Sequence, residues 1–240
     1  MDGVLVIDKP VSLTSNDVVQ RIKRTLGVKK VGHLGTLDPL ATGVLPLVIN
    51  RATKFSEALQ GGVKEYAAVM RLGFSTDTYD SEGAAAGAAA DISKVTEAIL
   101  RQTLSGFLGE QEQTPPMYSA VKQNGVPLYK LARKGVTVER KPKAVTVHSI
   151  ELVSFAPPFV SFSVACSRGT YVRSICHDIG ARLGVGAHLT ELKRVRSGAF
   201  SMADAVSMDA GVDALIAAIK PLEAFSGLKV DGVKRVQGAS

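Results

Sequence analysis

A chain of 240 residues with 45% hydrophobic content and a mean hydropathy of +0.15 can bury a substantial core, as one large domain or as a domain with a small appendage. Its formal net charge of +7 and pI of 9.4 favour a polyanionic partner. Two cysteines without Cys-x-x-Cys spacing, Cys166 and Cys176, and four scattered histidines exclude a zinc site and a disulfide scaffold. The longest strongly apolar run, Val44 to Ile49, is too short to cross a bilayer, and with no basic-then-apolar leader the chain is expected in the cytoplasm.

Charge is unevenly spread. Between Lys122 and Lys143 seven bases meet one acid, whereas between Ser75 and Glu112 seven acids meet two bases. Such a division suits a molecule that offers one face to RNA and another to water.

Val4-Leu5-Val6-Ile7 reads as a buried strand closed by the turn Asp8-Lys9-Pro10. Ser15 or Asn16 then caps a helix with Val18, Val19, Ile22 and Leu26 on one face, ended by Gly27. Next comes a run dense in turn formers, Gly32-His33-Leu34-Gly35-Thr36-Leu37-Asp38-Pro39-Leu40-Ala41-Thr42-Gly43-Val44-Leu45-Pro46. It has the layout of a loop that holds one acid still. Taken alone, Asp38-Pro39 also fits a helix N-terminus, with the carboxylate capping free N–H groups. A phosphate-binding Walker loop is excluded, because Gly43 is followed by Val44 and not by Lys.

Leu45 to Ile49 reads as a strand, Arg51 to Lys54 as the start of a helix and Tyr66 to Phe74 as a second strand. The acidic segment Thr76 to Gly83 lacks the ligand spacing of an EF-hand and reads as a loop; the run Ala84 to Ala90 suggests no role. Val95 to Leu108 has helical spacing, with Val95, Ala98, Ile99, Phe107 and Leu108 facing inward. The basic stretch that follows mixes its charges with Gly125, Leu128, Tyr129, Leu131 and Gly135, which suits a hinged insertion over RNA as well as a solvated surface. From Ala144 the period becomes two, and Val145 to Leu152 and Val160 to Cys166 read as antiparallel strands joined at Pro157-Pro158, with Cys166 in the core. Val172, Ile175, Cys176, Ile179 and Leu183 then mark a helix whose Arg173 lies off that stripe. A cation near a helix start opposes the helix dipole and so calls for another reason.

The fifteen residues 32–46 resemble the catalytic loop of the TruB family of tRNA pseudouridine synthases, whose signature reads close to Gly-His-x-Gly-x-Leu-Asp-Pro-x-Ala-x-Gly-x-Leu. The resemblance implies that Asp38 is the catalytic aspartate and that His33 lies against the substrate RNA. Asp8-Lys9-Pro10 with Thr14 to Asp17 is similar to the family's opening motif, whose Lys-Pro turn supports that loop. Lys64-Glu65-Tyr66 matches a Lys-x-Tyr motif that sets the Tyr66 ring on the target base, as a flipped base requires. Thr76 to Gly83 resembles a segment whose second acid, Asp80, organises the site's hydrogen bonds. Gly169-Thr170-Tyr171-Val172-Arg173 resembles Gly-Thr-Tyr-x-Arg, in which Arg173 pairs with Asp38 and Tyr171 contacts the uridine. Leu192 would lie at the substrate pocket, Lys193 and Arg194 beside phosphates, and Lys130, Arg133 and Lys134 on a thumb-like insertion that grips the RNA backbone.

Taken over residues 3–225, the resemblance implies an α+β pseudouridine synthase catalytic fold: a central, mainly antiparallel mixed sheet flanked by helices, with the insertion at about 121–143. Residues 226–240 would be a remnant or the start of a C-terminal PUA-like domain. The implied activity converts uridine 55 of the tRNA T-loop to pseudouridine, with no cofactor and no metal, by a monomer that binds the T-arm stem-loop and needs neither a membrane nor an obligate protein partner. Attack at C1′, attack at C6 and proton abstraction at C2′ all remain open. A non-catalytic tRNA-folding chaperone and a guide-dependent ribosomal RNA pseudouridine synthase are the alternatives.

Overall fold

The computed structural model describes residues 1–225; the expected PUA-like strand at 226–240 lies outside the described residues. The described elements fall into two compact units, one of residues 1–66 with those from 193 onward, the other of residues 67–192. The elements form an α+β arrangement around mixed, mostly antiparallel strands.

The first unit opens on β1 (Gly3–Lys9), apolar on both faces and almost wholly buried. α1 (Ser15–Thr25) follows because Thr14 and Asp17 close a reciprocal capping box, one residue earlier than the sequence suggests. Val18, Val19 and Ile22 form its inner face, and Gly27 ends it at φ +61°. Then come β2 (Val31–His33) and β3 (Ala41–Ile49). β3 pairs antiparallel with both β1 and β2, bringing Val6 opposite Pro46 and His33 opposite Leu47. β3 starts four residues before the expected Leu45. The helix expected from Arg51 is instead a 3-10 turn, Asn50–Phe55, that runs into the one-turn α2 (Ser56–Leu59). Val4, Val6, Val44, Val48, Phe200 and Phe225 are among the residues that fill this unit's core.

β4 (Lys64–Leu72) begins two residues before the expected Tyr66 and alternates strictly, burying Lys64, Tyr66, Ala68, Met70 and Leu72. In the second unit the acidic loop is flanked by the two-residue strands β5 (Ser75–Thr76) and β6 (Ala85–Ala86). α3 (Glu97–Ser105) is shorter than expected and turned: Leu100, Leu104 and the following Phe107 are buried, while Ile99 and Leu108 face outward. Leu100 and Leu104 are four apart and therefore share a face, whereas Ile99 lies about 100° away from Leu100. β7 (Gly109–Gln113) leads into the basic insertion, which folds as a hairpin of β8 (Lys122–Gln123) and β9 (Val126–Pro127) followed by α4 (Leu128–Ala132).

β10 (Lys143–Ala156) and β11 (Phe159–Cys166) are the expected antiparallel pair around Pro157-Pro158, with Val147, Ile150, Leu152, Val160, Phe162, Val164 and Cys166 inside. α5 (Val172–Leu183) begins where expected and ends on Gly184 at φ +72°. β12 (Ala187–Ser197) is followed by the short strands β13 (Phe200–Ser201) and β14 (Ala205–Ser207), the latter parallel to β1, and by α6 (Val212–Ala217).

Candidate active site

In the first unit the loop around Asp38 is held by three buried side chains. The Ser15 hydroxyl donates to the Leu37 carbonyl at 3.0 Å and accepts the Leu37 N–H at 2.8 Å. Lys9 Nζ donates to the carbonyls of Pro10, Leu13 and Pro39 at 2.9, 2.6 and 3.3 Å. The Arg194 guanidinium donates to Gly35, Thr36 and Val44 carbonyls at 3.1, 3.4 and 2.8 Å. The main chain on either side of Asp38, at Gly35 to Leu37 and at Pro39, is thereby tied to side chains of α1, β1 and β12. The Asp38 carbonyl itself accepts the Ala41 N–H at 3.0 Å, and the turn runs straight into β3. Asp38 therefore caps no helix.

Glycine is required where β3 and β12 meet. Gly43 has φ +95°, and a Cβ there would collide with the backbone of Arg194. That close approach lets the Arg194 side chain reach three carbonyls of the loop.

Lys193 and Arg194 part company here. Strand alternation leaves Lys193 exposed and turns Arg194 inward to 0% exposure, so the phosphate contact expected of Arg194 is replaced by an internal brace. Burial lowers the Arg194 pKa, and the charge and hydrogen bond of the Tyr66 phenol oppose that fall. Tyr66 is thus fixed at its hydroxyl end against the same brace. His33, at the end of β2, is half-buried; desolvation first, then the Arg194 and Lys64 cations, hold its pKa below the usual imidazole value. A neutral ring suits contact with a base better than with a phosphate.

The second unit assembles its own set. Arg173, 3% exposed on the first turn of α5, donates to the carbonyls of Thr78 at 3.2 Å and Tyr118 at 2.6 Å and lies 3.9 Å from the Asp80 carboxylate. Being off the apolar stripe has not carried it to solvent, and three acceptors answer the dipole objection raised by its position. Asp80, also 3% exposed, accepts from the Thr78 hydroxyl and from the Glu82 N–H at 3.1 Å. The ring of Tyr171 lies 5.5 Å from the Arg173 guanidinium. Leu192, at the edge of this unit, is 8% exposed.

Lys130, Arg133 and Lys134 all project from α4 and its end into solvent, with Arg133 over the Tyr129 ring at 5.5 Å. Cys176 is buried, which pushes its thiol pKa far up and leaves it inert. Among the described residues no group of three or more His, Cys, Asp or Glu side chains is arranged to hold a metal, and no helix is long and apolar enough to cross a membrane.

Sequence reasoning missed the Ser15 clamp, the inward turn of Arg194 and the stack of Tyr79 on His177, with centroids 3.8 Å apart at 17°. Tyr79 takes φ +67°, an unusual backbone for that residue, between two of the three residues that hold Arg173, Thr78 and Asp80. The alternation of β12 was the one available signal for Arg194; Ser15 and His177 offered none.

Residues 23–172 match the TruB family pseudouridylate synthase N-terminal domain, and residues 173–225 match the tRNA pseudouridylate synthase B C-terminal domain. The tRNA pseudouridine synthase B of Opitutus terrae is 50% identical over 210 residues, covering 88% of this chain and 87% of the relative. That of Syntrophotalea carbinolica is 45% identical over 246 residues, covering 98% and 80%. Among solved structures, a Cbf5-Nop10-Gar1 complex contains a chain 34% identical with a TM-score of 0.73, covering 93% of this chain and 61% of that one. An H/ACA RNP bound to a substrate RNA containing 2'-deoxyuridine contains a chain 32% identical with a TM-score of 0.65, covering 88% of this chain and 52% of that one. The chain thus spans less than two thirds of those structural neighbours. A half-identical relative over nearly nine tenths of the chain, with two adjoining family domains in register, places this protein in the TruB family of pseudouridylate synthases, which are isomerases.

Proposed function

We propose that this protein isomerises uridine 55 in the T-loop of tRNA to pseudouridine, with Asp38 as the catalytic carboxylate. The observation that carries the assignment of the acid is the triple clamp: Arg194, Ser15 and Lys9 fix the peptides of Gly35, Thr36, Leu37 and Pro39, and so fix the one carboxylate of the loop. Rigid backbone is what a positioned reacting group needs, since an error near 1 Å can cost about 100-fold in rate. The substrate class is supported by relatives named tRNA pseudouridine synthase B at 45% and 50% identity.

A uridine inside a stacked loop cannot be reached, so the nucleotide is flipped out, with His33 against the RNA and the Tyr66 ring under the extruded base. Asp38 acts as nucleophile or base while the C1′–N1 bond breaks, the uracil turns in place and C1′–C5 forms. The C5 proton is lost and N1 gains one, so the product is an isomer and the stoichiometry calls for no cofactor. The pairing of Arg173 with Asp38, the contact of Tyr171 with the uridine and the place of Leu192 at its pocket belong to the same proposal. So does the grip of Lys130, Arg133, Lys134 and Lys193 on the RNA backbone.

Incubating the protein alone with an unmodified tRNA transcript, followed by mass-sensitive mapping, should place one pseudouridine at position 55. Asp38→Asn should abolish it, a loss of about 10⁴-fold or more, while tRNA binding stays within twofold. Turnover that survives this change would refute the assignment of the acid. The likeness to Cbf5 complexes at 34% identity keeps a second reading in view, a guide-dependent synthase of ribosomal RNA. Activity on a bare T-arm stem-loop without guide RNA discriminates the two.

A further inference from the structure

The basic insertion has a neck, and the neck touches the candidate site. Gln113, the last residue of β7, faces Lys143, the first residue of β10, in the antiparallel ladder, so these two close the insertion that runs between them. The other polar side chains of β7 are exposed or half-exposed, as on a sheet edge, whereas Gln113 is only 6% exposed. Its amide reaches a residue 58 positions away: Oε1 accepts the Tyr171 N–H at 2.7 Å and Nε2 donates to the Tyr171 carbonyl at 3.2 Å.

Tyr171 is the residue from which α5 starts, and its own side chain supplies no cap. Its carbonyl also accepts the N–H groups of Ser174 and Ile175 at 3.1 and 3.2 Å, so one amide grips the main chain on both sides of the residue that launches the helix. Five residues past Gln113, the Tyr118 carbonyl takes the Arg173 guanidinium at 2.6 Å. From the opposite end of the insertion Arg140 donates to the Pro115 carbonyl at 3.1 Å and ties the segment between them. The stretch from Gln113 to Tyr118 is therefore bonded to both functional residues on the first turn of α5.

We infer that Gln113 is a positioning residue for the reaction: its side-chain amide, fixed in the neck of the insertion, sets the peptide of Tyr171 and with it the Tyr171 ring and the Arg173 guanidinium. The inference rests on the proposed roles of those two residues toward the uridine. It gives the insertion a second task beside RNA binding, because its root aligns the groups that face the base. Glutamine is suited to this, having donor and acceptor on one terminal group long enough to bridge.

The test uses Gln113→Met, which keeps the length and removes both bonds, and Gln113→Glu, which keeps the acceptor and regains a donor only when protonated. With saturating protein and an unmodified tRNA transcript, the Met variant should form pseudouridine about ten- to 100-fold more slowly in a single turnover, with the tRNA Kd within twofold. The Glu variant should be slow at about pH 8 and recover toward the unsubstituted protein as the pH is lowered to about 6, because burial raises a carboxyl pKa. Amide hydrogen exchange in the Met variant should speed up at Tyr171 and the first turn of α5 relative to α1. Unsubstituted rates in both variants, a loss seen in Kd alone, or a Glu variant whose pH profile parallels the parent would overturn the inference. Absence of pseudouridine formation by the parent protein would instead sink the proposed function, and unchanged exchange at Tyr171 would then still reject the role of Gln113.

Discussion

Two arginines, one in each unit, are withdrawn from solvent to nearly the same degree, and their surroundings differ in kind. Arg194 spends its guanidinium on three main-chain carbonyls and a phenol, all within the first unit. Arg173 meets two carbonyls and a carboxylate, and the loop that supplies two of those groups carries the Tyr79 backbone in a left-handed conformation. The first arrangement braces a loop. The second keeps a cation oriented and partly balanced, which suits the role proposed for it toward the substrate. Burial alone does not separate the two arginines; the chemistry of their partners does.

That contrast can be broken most sharply at Arg194. Arg194→Met would strand three buried carbonyls, and thermal or urea unfolding should register a loss of about 3–5 kcal/mol. Arg173→Lys should do the reverse: the fold survives with a smaller loss, while pseudouridine formation falls about 100-fold, because an ammonium cannot address three acceptors in a plane. If the two variants lost stability equally and Arg173→Lys kept full activity, the distinction between brace and site would fail.

The insertion sharpens the comparison on the binding side. Neutralising Lys130, Arg133 and Lys134 together should weaken tRNA binding about tenfold at moderate salt and reduce the slope of log K against log salt by about 2, without changing single-turnover rate at saturation. An unaltered slope would remove these three side chains from the RNA contact.

The smallest effect concerns pH. His33 and His177 both have folded pKa values below the ordinary imidazole range, each chiefly through desolvation. Below about pH 6.5 the unfolded chain takes up protons that the folded chain refuses, so these groups reduce stability as pH falls from 7 towards 5. Asp178, raised by burial, works the other way, its protonation in the folded state favouring the fold in acid. His33→Gln should flatten the histidine part of that decline, measured as melting temperature against pH.

The local patterns were strong enough to announce several elements without any tertiary information. Strict alternation located the β10–β11 pair, and the Asp38 loop declared itself by its density of turn residues. The charge run marked the insertion because seven bases stand against one acid between Lys122 and Lys143. Less was legible where one short pattern fits several partners. The spacing in α3 allowed two inward faces, and only the strands beneath it chose Leu100 and Leu104 over Ile99.

Composition and periodicity by themselves marked single strands and helices and the basic insertion, and the resemblance of the motifs to the TruB family implied the α+β class and the candidate acid, because each is written in neighbouring residues. What tertiary structure alone decided is which polar side chains face inward and whom they meet. Arg194 and Lys193 are adjacent in sequence and opposite in exposure, since a strand sends successive side chains to opposite faces and only the packed neighbours say which face is dry. Gln113 and Tyr171 stand 58 residues apart, and no local pattern can tell an amide at a sheet edge that its partner is a distant peptide.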